Sequence, residues 1–114
     1  MLTIDALRGF GADTKTGLNR CMNNESLYLM LVAKALQDAN YGRLASAVEA
    51  DDRKAAFEAI HAIKGVVGNL ALTPLYDAAS EMTELLRAGK DADYPALLRQ
   101  LIQKRDELIA LQNG

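Results

Sequence analysis

Apolar residues recur along the chain at intervals of three and four and nowhere alternate over a sustained stretch. That is the spacing of amphipathic helices, not of strands. The longest segment, ESLYLMLVAKALQDANYGRLASAVEA (25–50), opens after Asn23 or Asn24, and the weak helix formers Asn40 and Gly42 predict a kink or break inside it. Asp51–Asp52 predicts the cap of a helix that passes through His61 to about Ala71. Thr73–Pro74 reads as a capping hydroxyl followed by proline at the first helical position, and the helix behind it stops at Gly89. Asp93, with Pro95 close behind, starts a last helix ending near Asn113–Gly114. Ahead of these, Thr3 predicts the cap of a short helix that Gly9 ends, and Asp13 the cap of a second running to about Arg20.

Four main helices, near 24–50, 52–71, 74–88 and 94–112, joined by short connections, predict an all-α, antiparallel four-helix bundle. The short helices of 1–22 are expected to form a lid on one end of the bundle of 23–114, the whole making a single domain of 114 residues. Half the residues are hydrophobic and a quarter charged, a balance that excludes a disordered chain.

The 13 basic and 15 acidic residues give a formal net charge of −2 with no basic run, which argues against nucleic acid or an anionic membrane surface as partner. The longest apolar run, LYLMLVA (27–33), is far short of the ~20 residues that span a bilayer. The N-terminus lacks the charged, apolar and small-residue regions of a secretion signal. Cys21, the single cysteine, precludes an internal disulfide and fits a reducing compartment. A cytoplasmic protein is expected.

The chain holds one histidine, in HAIKGVVGNL (61–70), beside two glycines inside a helical pattern. Each glycine costs a helix interior about 0.5–1 kcal/mol relative to alanine. At ~100° per residue, Ala56, Ile60, Ile63, Val67 and Leu70 form a core stripe with Phe57 on its edge, and His61 lies roughly 120° from its centre. Gly65 and Gly68 fall within about 40° of His61, on the histidine's own face. Bare backbone there would let a partner surface, or a bulky group on the ring, come close. Lys64 at i+3 sets a cation beside any anion the ring carries, and Lys54 falls on the same side two turns earlier. The plainer reading makes His61 an ordinary surface or structural residue and lets Gly65 and Gly68 admit a neighbouring helix or mark the helix end.

Other chemistry has less support. One histidine and a distant Cys21 leave only carboxylates to complete a metal site, so none is expected. No glycine-rich phosphate loop follows a strand, and Ser80 and Cys21 are nucleophiles in name only. A small enzyme using His61 as general base would need a pocket of convergent polar groups. An exposed imidazole can also act as a nucleophile and accept a group itself.

His61, Lys64, Gly65, Gly68, Asn69 and Leu70, as H-x-x-K-G-x-x-G-N-L, resemble the active helix of histidine-containing phosphotransfer (HPt) domains. The resemblance covers most of the chain. NNESLYLMLVAKAL, ASAVEADDRKAAFEAIHAIKG and LTPLYDAASEMTELLRAG resemble successive parts of the family's bundle, and GADTKTGLNRCMNN the lead-in of free-standing members. Many members carry glycine near position 71, where this chain has Ala71.

The resemblance implies a phosphorelay intermediate of a multistep two-component signalling system, with no kinase activity of its own. His61 would carry a phosphoryl group between aspartyl-phosphate receiver domains, and Lys64 would steady the phosphoryl oxygens. Gly65, Gly68, Lys54 and Leu72 would belong to the docking surface. Implied partners are response-regulator receiver domains and a hybrid histidine kinase, with Mg²⁺ supplied by the receiver and the protein itself working as a monomer. A helical adaptor that binds receivers without phosphotransfer is the alternative.

Overall fold

The computed structural model describes residues 1–114 as seven α-helices and no strand. They are α1 (Ile4–Phe10), α2 (Thr14–Arg20), α3 (Glu25–Leu36), α4 (Asn40–Glu49), α5 (Arg53–Asn69), α6 (Thr73–Arg87) and α7 (Tyr94–Asn113). Helices α4, α5, α6 and α7 pack in sequence, and α7 closes the ring against α4, while α3 leads into α4 and also lies on α7. Connections of a few residues force neighbouring helices antiparallel, so the expected four-helix bundle is the fold.

Its core is one cluster to which every helix except α2 contributes a large side chain, among them Leu7, Tyr28, Leu44, Ile60, Leu75 and Leu108. The core stripe of α5 lies as the periodicity predicts, with Ala56, Ile60, Ile63, Val67 and Leu70 each 6 % exposed or less.

Four aspartate or asparagine caps act where the sequence puts them. Asp13, Asn24, Asp52 and Asp93 each accept the backbone N–H three residues on, from Thr16, Leu27, Ala55 and Ala96. Thr3 caps α1 through Ala6 N.

Three boundaries differ from expectation. Gly9 lies inside α1, and the helix instead closes on Gly11, whose left-handed φ of 110° suits a residue without Cβ. The break in 25–50 falls at Gln37–Ala39, where Asp38 Oδ1 accepts Asn40 N at 2.8 Å, so Asn40 and Gly42 begin α4 instead of interrupting it. Thr73 is itself helical rather than the capping residue, and Leu72 precedes it with no side-chain cap bond.

That last shift follows from how α5 stops. Leu72 N donates to Val67 O at 3.0 Å and Ala71 N to Gly68 O at 3.1 Å, the paired bonds of a Schellman turn. Ala71 takes the left-handed position, φ 57°, and Leu72 folds into the core with no exposed surface. Ala71 therefore ends the helix on a conformation that glycine adopts at lower cost.

The N-terminal helices sit on this turn. Arg20 Nη1 donates to Gly68 O (2.8 Å) and Asn69 O (3.0 Å), Tyr28 Oη to Leu70 O (2.7 Å), and Asp13 N to Ala71 O (2.9 Å). Four consecutive carbonyls, from Gly68 in the last turn of α5 to Ala71 in the Schellman turn, thus accept bonds from residues 13–28 where a helix terminus leaves its carbonyls short of partners. Burial pushes the Tyr28 phenol up to about 12, which keeps its proton available for this bond. Gly17 lets the ring pass, since a Cβ there would sit 2.4 Å from Tyr28 Cζ.

Candidate functional site

His61 projects from the middle of α5 into solvent. Phe57, one turn earlier, stacks on one side of the imidazole with ring centroids 5.6 Å apart and planes 17° from parallel. One turn later stands Gly65, where a Cβ would meet nothing within 4 Å. The ring is thus supported from below, open above, and free of any hydrogen bond from the rest of the chain.

Two shallow grooves run along the two flanks of His61, and both are lined by His61, Gly65 and Asn69. The first, about 790 Å³, lies towards α2 and α6 and is polar, with Arg20, Lys64, Asp13 and Thr73 on its walls. The second, about 740 Å³, lies towards α3 and is more apolar, with Leu31, Ala62, Val66 and Leu70 beside Lys34 and Asp38. His61 stands on the ridge between them. Both grooves are open to solvent and neither encloses the ring.

Charge in the first groove leans positive. Lys64, 23 % exposed, rises one turn from His61, and Arg20 reaches in from α2. Asp13 is the opposing carboxylate, held below the usual carboxylate range by the Thr16 hydroxyl (2.7 Å) and the Thr16 N–H (3.1 Å). It stays ionised but is occupied with its own helix cap.

The glycines divide in role. Gly65 is open, as the wheel predicts. Gly68 is not: a Cβ there would lie 2.8 Å from Tyr76 Cδ1 and 2.9 Å from Cε1. The Tyr76 ring of α6 lies on the bare backbone of Gly68, and Lys64 Nζ sits 5.9 Å from the centroid of that ring. Gly68 therefore admits a neighbouring helix rather than leaving an open strip. Leu72 also departs from expectation, because the Schellman turn buries it completely and no partner can touch it. Lys54 is exposed on α5 but lines neither groove beside His61.

The sequence profile of the Hpt domain family matches residues 30–114. The chain belongs to the Hpt domain family. Hpt domains are phosphocarrier modules, not kinases; they perform histidine phosphotransfer in phosphorelay signalling, where their partners are receiver domains and histidine kinases. The matched span contains the bundle, His61 and both walls of the α3 groove, while α1, α2 and the start of α3 lie outside it. No curated protein and no solved structure matches the chain. No helix of this Hpt protein is long and apolar enough to cross a membrane.

Three residues of the site escaped the sequence reading. Tyr76 carried a signal, since the short α5–α6 turn brings Tyr76 opposite Gly68, and a ring facing a glycine across a hairpin implies close packing. Phe57 lies at i−4 from His61, a spacing at which helix side chains meet. Arg20 carried none, because its contacts span 48 and 49 residues.

Proposed function

We propose that His61 is the phosphoryl carrier of this Hpt protein, accepting the group from the aspartyl phosphate of one receiver domain and delivering it to the aspartate of another. The observation that supports this most is the placement of the chain's only histidine, exposed on the ridge between two open grooves within the family-matched span.

The neutral imidazole offers a ring-nitrogen lone pair to phosphorus. The new N–P bond forms as the acyl O–P bond breaks, the receiver's carboxylate leaves, and the ring gives its proton to water. Phosphoryl transfer depends mainly on position and charge neutralisation. Phe57 fixes the plane of the ring, Gly65 leaves room for the donor loop, and Lys64 supplies a cation to the transferring oxygens. Neutralisation on the aspartyl side falls to the receiver and the Mg²⁺ it brings, so this chain contributes no cofactor. On this reading the chain is a carrier through which phosphate passes, not a kinase. The reverse transfer uses the same geometry.

Incubation with a ³²P-phosphorylated receiver should move label onto the protein as an acid-labile, base-stable adduct. His61→Gln should abolish labelling while leaving the circular dichroism spectrum unchanged. Label on the His61→Gln protein would disprove the assignment.

A further inference from the structure

The cation next to His61 is already engaged. Lys64 Nζ lies 3.8 Å from Glu84 Oε1, on α6. Glu84 is shared, because Arg87 Nη1 pairs with the same oxygen. Arg87 in turn lies with its guanidinium 5.7 Å from the centroid of Phe57, the ring that stacks on His61. Helix α6 thus sets one carboxylate, with two cations competing for it, beside the turn of α5 that bears the imidazole.

The strengths of these pairs decide what happens when an anion arrives. Glu84 is 57 % exposed, and an ion pair that open and that long is weak and readily exchanged. A phosphoryl group on the ring carries close to two negative charges and three acceptor oxygens, a stronger attraction for an ammonium than one solvated carboxylate. Arg87 can neutralise Glu84 without moving to a new partner, so the release of Lys64 strands no charge.

We propose that Glu84 is a positioning residue that controls the availability of Lys64, an inference that rests on His61 as the carrier. In the unphosphorylated protein Glu84 holds the ammonium towards α6. On phosphorylation Lys64 transfers to the phosphoryl oxygens, and Arg87 keeps the carboxylate. Glu84 therefore opposes loading and favours discharge, so the standing charge pattern of α6 tunes how tightly the phosphoryl group is held.

Phosphoramidate tests this without a partner protein. Its P–N bond breaks as a new P–N bond forms on the imidazole, and the displaced ammonia takes up the ring proton as ammonium. Glu84→Gln should be labelled about two- to fivefold faster than the parent. Arg87→Met, which keeps an unbranched side chain but removes the guanidinium and leaves Glu84 to Lys64 alone, should be labelled more slowly. In a Lys64→Ala background, Glu84→Gln should give no acceleration, and melting temperatures should be level across the series. An unchanged or slower rate in Glu84→Gln, an acceleration that survives Lys64→Ala, or a faster Arg87→Met would each overturn the proposal. If His61 takes no label in the parent either, the carrier reading itself fails, an outcome distinct from labelling at equal rates.

Discussion

The two glycines beside His61 have opposite surroundings, and their substitutions should part accordingly. Gly65 faces open space, so Gly65→Ala should stabilise the protein by up to ~1 kcal/mol through helix propensity alone. At Gly68 the same methyl drives into the Tyr76 ring. Overpacking of ~1–3 kcal/mol, less the ~0.5–1 kcal/mol gained in propensity, leaves Gly68→Ala less stable by up to ~2.5 kcal/mol. Adding Tyr76→Ala should remove that penalty, because the clash needs both side chains; thermal unfolding of the three variants checks it. A helical wheel places residues around their own helix and says nothing about the next one. That is why the wheel was right about His61 and the core stripe but gave both glycines one role. Leu72 shows the same limit, since a left-handed Ala71 turns the chain inward there and no periodicity reports a single backbone dihedral.

Helix starts were legible wherever one short polar side chain makes the cap, as at Asp13, Asn24, Asp52 and Asp93. Helix ends were less so, because they depend on partners brought by tertiary structure. The end of α5 is the clearest case, capped by Arg20, Tyr28 and the Asp13 amide from another part of the chain. Its contacts differ in burial, and their removal should differ in cost. Tyr28→Phe leaves a buried Leu70 carbonyl short of its donor and should destabilise by about 1–3 kcal/mol. Arg20→Ala acts on an exposed contact, where water can replace the guanidinium, and should cost no more than about 1 kcal/mol. Hydrogen exchange should locate both effects: faster exchange in the last turn of α5 for Arg20→Ala, a globally lower stability for Tyr28→Phe. Equal costs for the two would mean the Leu70 carbonyl is not sealed from water.

For the whole molecule, the bundle extends about 40 Å along its longest axis and turns one face of α5 outward. Every large apolar residue of α5, Phe57 included, is spent on the core or its edge, which leaves the exposed ridge to His61, Gly65 and Asn69. The matched span omits α1 and α2, yet Arg20, Asp13 and Thr16 of that region form part of one groove beside His61. A partner docking on the polar groove would therefore touch residues outside the family's common bundle.

Carriage, as opposed to mere acceptance, is tested by discharge. The protein is loaded with ³²P from one phosphorylated receiver, separated from it, and offered a second, unphosphorylated receiver with Mg²⁺, while label is followed on both chains. Loss of acid-labile label from His61 matched by base-labile aspartyl phosphate on the receiver is the expected result. Label that never reaches His61, or that reaches it and leaves only as free phosphate, would contradict a carrier.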